Sequence, residues 1–228
     1  GIDIKKCKLK NVLKKNSKKI VTDLDIFFTK YYKNKNITIT GTNGKSTTAK
    51  ILYEILKNAK KDVRLTGNIG RPILLEKNVN SKTIFVIEAS SYQLDYSRFF
   101  KADYGVILNI TPDHLERHGT FLNYIKSKFK LIKNQTNRDY SFLNLSSKYL
   151  KNKINKNQIK SKVINVTPKL FNKKISKIKN PYFISEGNRE NLSFIFAIIK
   201  KFGIEEKKLY EVVEKYKGLK YRQEIIFQ

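Results

Sequence analysis

The apolar pattern changes period between residues 36 and 58. Asn36-Ile37-Thr38-Ile39-Thr40 alternates as a strand does, a glycine-containing loop follows at Gly41–Gly44, and from Lys45 to about Asn58 the apolar positions Ile51, Ile55 and Leu56 share one helical face. That is a β-loop-α unit. Further β-branched, mostly apolar runs at Val63–Thr66, Thr83–Ala89, Tyr104–Ile110, Tyr140–Leu145 and Lys162–Val166 predict strands, separated for the most part by helical or loop segments. This rhythm predicts an α/β fold with a mostly parallel sheet flanked by helices. A helix over Thr120–Lys133 carries an apolar stripe of Phe121, Ile125, Phe129 and Ile132, and at 100° per residue Lys128 falls within it while Lys126, Lys130 and Lys133 face away. Two helices, Asn188–Phe202 and Glu205–Lys217, are predicted near the end, the second closed by Gly218. The segment Lys148–Lys179, dominated by Lys, Asn and Ile, reads as loops and short strands. The first 35 residues form a Lys-rich lead-in with two short amphipathic stretches, the second at Leu24–Tyr32. It is expected to pack on the sheet edge and carries no evident chemistry.

Composition adjusts this picture modestly. At 228 residues the chain can bury a core without disulfide or metal staples, and no apolar run approaches the roughly 18 residues needed to cross a bilayer. A single cysteine, Cys7, and the absence of a secretory leader pattern point to a reducing cytoplasm and to no membrane partner. The chain has no methionine and stops in Ile225-Ile226-Phe227-Gln228, which reads as a strand cut short, so it is expected to be an internal piece of a longer protein. The net charge of +29 would suit a nucleic-acid partner. However, 41 Lys stand against 7 Arg, scattered along the whole length, and Lys, Ile and Asn are the residues that A/T-rich codons spell. Codon bias therefore accounts for the charge better than nucleic-acid binding does, although a P-loop ATPase that binds nucleic acid remains the alternative.

The chemistry concentrates after the strands. Gly41-Thr42-Asn43-Gly44-Lys45-Ser46-Thr47 lies between strand and helix, where backbone N–H groups and the helix N-terminus can cradle phosphates, with Lys45 on the β- and γ-phosphates and Ser46 on Mg²⁺. Only two residues separate its glycines, against four in the usual P-loop. Glu88 ends a strand, the edge at which open α/β sheets bind ligands, and can reach Mg²⁺ from the side opposite Ser46. The two histidines, His114 and His118, have the spacing of a zinc pair, but with no Cys or third His nearby His114 fits better as a ligand of a second magnesium or of substrate. An inward Lys128 would be driven toward its neutral amine, which reacts with CO₂ to give an anionic, metal-binding carbamate.

These motifs, together with Gly67-Asn68-Ile69-Gly70, Glu88-Ala89-Ser90-Ser91-Tyr92-Gln93-Leu94, Asp113-His114-Leu115-Glu116-Arg117-His118 and Tyr124-Ile125-Lys126-Ser127-Lys128, resemble the Mur ligases in order and spacing. Ser46 after Lys45 and the Ser-Ser-Tyr-Gln-Leu stretch are similar to the D-glutamate-adding members. The related ligases, including the folylpolyglutamate synthetases, are the alternative. The resemblance implies ATP-dependent joining of D-glutamate to UDP-N-acetylmuramoyl-L-alanine through an acyl phosphate, by a monomeric enzyme that uses two Mg²⁺ ions and a carbamylated lysine. It implies that residues 1–35 lead in from a UDP-binding domain, that 36–218 form the central ATP-binding domain, and that 219–228 join a C-terminal domain, without which the fragment would be inactive. Carried over by position, Lys45, His114 and Lys128 are catalytic, and Gly41, Thr42, Asn43, Gly44, Lys45, Ser46 and Thr47 hold the phosphates. Asn188, Asn191 and Arg222 contact the nucleoside, and Ser46, Glu88, His114 and Lys128 bind the metals. Asn68, Ser90, Gln93 and His114 face the muramoyl substrate. The family's His-Asn-x-x-Asn reads Gly187-Asn188-Arg189-Glu190-Asn191 here, its glycine position is Ser185, and its junction histidine is Tyr221.

Overall fold

The computed structural model describes residues 7–156 and 159–219. Six strands, β1 (Asn36–Thr40), β2 (Val63–Gly67), β3 (Ile84–Glu88), β4 (Tyr104–Ile107), β5 (Tyr140–Leu143) and β6 (Lys162–Asn165), form an all-parallel sheet in the order β2-β3-β1-β4-β5-β6. The α/β expectation holds, with every pair parallel. The helices are α1 (Lys10–Lys15), α2 (Asp23–Tyr31), α3 (Lys45–Asn58), α4 (Ser91–Tyr96), α5 (Leu115–His118), α6 (Phe121–Lys133), α7 (Lys148–Lys156), α8 (Asn172–Ile175), α9 (Glu186–Lys201) and α10 (Glu206–Val213). Among the described residues no helix is long and apolar enough to cross a membrane.

Strand alternation builds two cores, one on each face. Ile37, Ile39, Val86, Val106 and Phe142 point to a layer made by α3, α9 and α10, while Phe85, Ile87, Ile107 and Leu143 point to one made by α2, α4 and α6. After β1 the chain crosses to β2 and returns through β3, whereas β4 is laid on the other side of β1. The order reverses at β1, which opens a crevice at the C-terminal ends of β1, β3 and β4, the place where such sheets bind ligands.

Several sequence expectations are corrected. The lead-in does not pack on the sheet edge: α2 lies on the face over β3, with the Phe27 ring 4.8 Å edge-on from Phe85. Nor is its chemistry silent. Asp25 is fully buried and accepts hydrogen bonds from the backbone N–H groups of Thr22, Arg98, Phe99 and Phe100 and from the Ser97 hydroxyl, all at 2.9–3.1 Å. One carboxylate thus ties α2 to the loop that follows α4. The Lys148–Lys179 segment contains the helix α7, held down by the buried Leu150, rather than loops and short strands alone. The last helix stops at Val213, ahead of Gly218. β4 ends at Ile107 and not at Ile110, and His114 is the N-cap of α5, in left-handed backbone (φ 52°).

Burial alone would raise the Asp25 carboxyl, but the bonds from Thr22, Phe99, Phe100 and Ser97 outweigh it and hold the group below the usual carboxylate range. A depressed folded-state value contributes stability that is present above the unfolded value, near pH 4, and is lost as pH falls through the lower folded value. Asp25→Ala, which leaves several buried N–H groups without a partner, should cost about 3 kcal/mol or more in urea unfolding at pH 7. The penalty should shrink as the same titration is repeated toward pH 3. An unfolding midpoint unchanged at neutral pH would contradict this.

Candidate active site

The β1–α3 loop is fastened before any ligand arrives. Thr42 donates its backbone N–H to the Asn109 carbonyl at 2.9 Å, and its hydroxyl donates to the Thr111 carbonyl at 3.1 Å. The Asn43 N–H donates to Asn109 Oδ1 at 2.8 Å. These bonds explain why β4 is shorter than its apolar run: Leu108 still donates its N–H to the Thr40 carbonyl, but Asn109 and Thr111 turn to hold the loop. Gly44 is left-handed (φ 80°), a backbone that favours glycine, and a Cβ there would have to displace the Asn191 amide, whose Oδ1 would lie 2.3 Å away. Lys45 starts α3, and its ammonium folds back onto the carbonyls of Gly41 (3.0 Å) and Thr42 (2.7 Å).

A cleft of ≈ 760 Å³ opens on one side of this loop, and Lys45, Asn68, Glu88, Ser90, Gln93, His114 and Lys128 all line it. Glu88, the last residue of β3, is fully buried; its Oε1 accepts from Asn68 Nδ2 at 2.9 Å, and its Oε2 has no partner among the described residues. The turn that brings Asn68 there needs Gly67 (φ 105°), whose Cβ would meet the Glu88 carbonyl at 2.4 Å. An unpartnered buried carboxylate oxygen is costly unless something answers it, and a cation would do so. A single hard carboxylate oxygen of this kind fits Mg²⁺, which takes few protein ligands and keeps several waters.

Lys128 points inward as its helical phase predicted. It is 1% exposed, donates to the Gly41 carbonyl at 2.7 Å and lies 4.5 Å from the centre of the Tyr124 ring. Burial, reinforced by the Lys45 charge and partly offset by Asp113, pushes its ammonium down to about 7. His114 also lines this cleft, 44% exposed at its side chain, its ring 5.0 Å from Tyr92 and 6.3 Å from Tyr124. His118 is buried, its Nε2 3.1 Å from the Ser91 hydroxyl, and its ring lies 5.7 Å from Tyr92 and 5.3 Å from Tyr124.

On the far side of the loop a second cleft of ≈ 370 Å³ is lined by residues 42–47 and by Asn109, Ser185, Gly187, Asn188 and Asn191. Ser46 lines this cleft and is 5% exposed. Asn188 donates to the Tyr182 carbonyl at 2.7 Å, and Asn191, 3% exposed, has an Oδ1 without a partner among the described residues. Arg222 lies outside the described residues. All the other residues singled out from the sequence meet around one loop.

The sequence reading missed the contribution of the amino-terminal segment. Leu13, Ile20, Val21, Thr22 and Asp23 wall the larger cleft, and Asp23 Oδ2 accepts from Gln93 Nε2 at 2.7 Å. The local signal was Thr22-x-x-Asp25, a helix-capping pattern whose carboxylate accepts from the Thr22 N–H at 3.0 Å.

Residues 39–205 match the family model of the Mur ligase middle domain. A UDP-N-acetylmuramoylalanine–D-glutamate ligase of Caldicellulosiruptor bescii is 33% identical over 227 residues, covering 91% of this chain and 50% of that protein. The chain spans about half the length of the curated relatives it matches. Among solved structures, the UDP-N-acetylmuramate:L-alanyl-gamma-D-glutamyl-meso-diaminopimelate ligase from Neisseria meningitides superposes with a TM-score of 0.63 at 15% identity, covering 87% of this chain and 71% of that one. MurF ligase from Thermotoga maritima, in complex with ADP, superposes with a TM-score of 0.61 at 16% identity, covering 86% and 51%. At such identities the likeness is one of fold.

Proposed function

The chain belongs to the Mur ligase middle-domain family, and on that premise we propose that residues 36–218 are the ATP-handling domain of a monomeric cytoplasmic ligase that joins D-glutamate to UDP-N-acetylmuramoyl-L-alanine. The observation that carries this reading is the meeting, in one cleft, of the Lys45 ammonium, the unpartnered Glu88 oxygen and the buried Lys128 amine. The names of the curated relatives supply the substrates.

In this reading the triphosphate lies along the loop, with Lys45 released from its own carbonyls to face the γ-phosphate, and the nucleoside extends toward Asn188, Asn191 and Arg222. The muramoyl-alanine carboxylate enters from the larger cleft past Asn68, Ser90, Gln93 and His114. Its attack on the γ-phosphate gives an acyl phosphate and ADP, and the D-glutamate amine then displaces phosphate to form the amide. The approach of two anions is the difficulty, and Lys45 offsets part of the repulsion. Ser46, Glu88, His114 and a carbamate on Lys128 would hold two Mg²⁺ ions, which supply the remaining positive charge. For that carbamate the neutral Lys128 amine forms an N–C bond to CO₂ and loses a proton. One N–H remains on the nitrogen and can keep the Gly41 carbonyl.

The test is amide formation by the full-length protein supplied with ATP, Mg²⁺, UDP-N-acetylmuramoyl-L-alanine and D-glutamate. One phosphate should appear per amide. Turnover with a different amino acid and none with D-glutamate would overturn the substrate assignment.

A further inference from the structure

We propose that Asp23, at the start of α2, is a positioning residue for recognition of the acceptor substrate, because its carboxylate fixes which way round the Gln93 amide is presented; this rests on the reading above, in which Ser90 and Gln93 face that substrate. Ser90 caps α4, and the Gln93 N–H donates to its hydroxyl oxygen at 3.2 Å. In return Gln93 Oε1 accepts from both the Ser90 N–H and the Ser90 hydroxyl, each at 3.0 Å. Both lone pairs of that oxygen are spent. The amide nitrogen has two hydrogens, one of which goes to Asp23 Oδ2 at 2.7 Å.

Asp23 is itself held, since its Oδ1 accepts the Leu24 N–H at 3.0 Å and it lies in the first turn of α2, where the helix dipole favours a carboxylate. Turning the amide over would set Gln93 Oε1 against the Asp23 carboxylate, acceptor against acceptor, and would break both bonds from Ser90. The orientation is therefore locked from two sides. Toward the cleft the pair offers one N–H, from Gln93, and one lone pair, on the Ser90 hydroxyl. That pattern suits a ligand group with an acceptor oxygen beside a donor hydrogen, as in an amide or a hydroxyl.

Steady-state kinetics of the full-length protein, with UDP-N-acetylmuramoyl-L-alanine and ATP varied separately, test this. Asp23→Ala should raise KM for the acceptor on the order of tenfold, with kcat and KM for ATP nearly unchanged. Asp23→Asn, whose amide oxygen can still accept from Gln93, should restore most of the loss. In a Gln93→Ala background Asp23→Ala should add little. If Gln93→Ala raises the acceptor KM and Asp23→Ala does not, Asp23 does not position the amide, although the site reading stands. If Gln93→Ala leaves the acceptor KM unchanged, the site reading itself fails. An equal rise in both KM values, together with a lowered thermal midpoint, would mean that Asp23 only supports the fold.

Discussion

Lys45→Ala in the full-length protein should lower ATP-dependent ligation by at least roughly 10²-fold, the usual cost of removing a main electrostatic stabiliser of a charged transition state. The ammonium lies at the start of α3 and already reaches over the loop to Gly41 and Thr42, where phosphate oxygens would replace the carbonyls. Among the described residues the same cleft holds one further lysine, Lys128, whose amine is buried and bonded to Gly41, and Arg117, whose guanidinium lies over the Tyr92 and Tyr96 rings. Retention of more than about a tenth of wild-type turnover would show that the γ-phosphate is stabilised elsewhere.

The second large effect is expected at Lys128. Lys128→Ala should cost on the order of 10²-fold or more, and added short carboxylates should restore part of the activity by occupying the space of a carbamate. Lys128→Arg should be neither active nor rescued, because a guanidinium stays charged and cannot carry CO₂. The direction with pH follows from the amine at about 7. The neutral form that reacts with CO₂ dominates above that value and is lost below it, so activity limited by bicarbonate should fall as pH drops through 7. Wild-type activity in Lys128→Arg would remove the carbamate from the scheme.

Local pattern carried much of the central unit. The alternation at Asn36–Thr40, the glycine loop and the helical face from Lys45 gave β1 and α3 their observed limits, because nothing distant overrides them. The inward turn of Lys128 was legible for the same reason: helical phase is a local property. The end of β4 was not, since Asn109 and Thr111 are turned to the loop by bonds to Thr42 and Asn43, distant in sequence. Nor was the helix α7: Tyr149, Leu150 and Ile154 do share one helical face, but three apolar residues among so many Lys and Asn do not stand out as a pattern. Asp25 is the sharpest case. A carboxylate at full burial runs against residue preferences, and its partners at 97–100 lie more than 70 residues away, so only the folded chain shows why it is tolerated.

The place of β1 in the sheet has a consequence for how the protein is made. Asn36 pairs with Phe85 and Ile37 with Tyr104, so neither strand that flanks the phosphate loop has been synthesised until roughly fifty to seventy residues after β1. At about 5–20 residues per second, the strand that later carries catalysis leaves the ribosome several seconds before it can be covered on either edge. Its alternate positions Asn36, Thr38 and Thr40 are polar, and all are buried once the sheet closes. During that interval they make the exposed strand less sticky than an all-apolar one, which guards against edge-to-edge aggregation on the nascent chain.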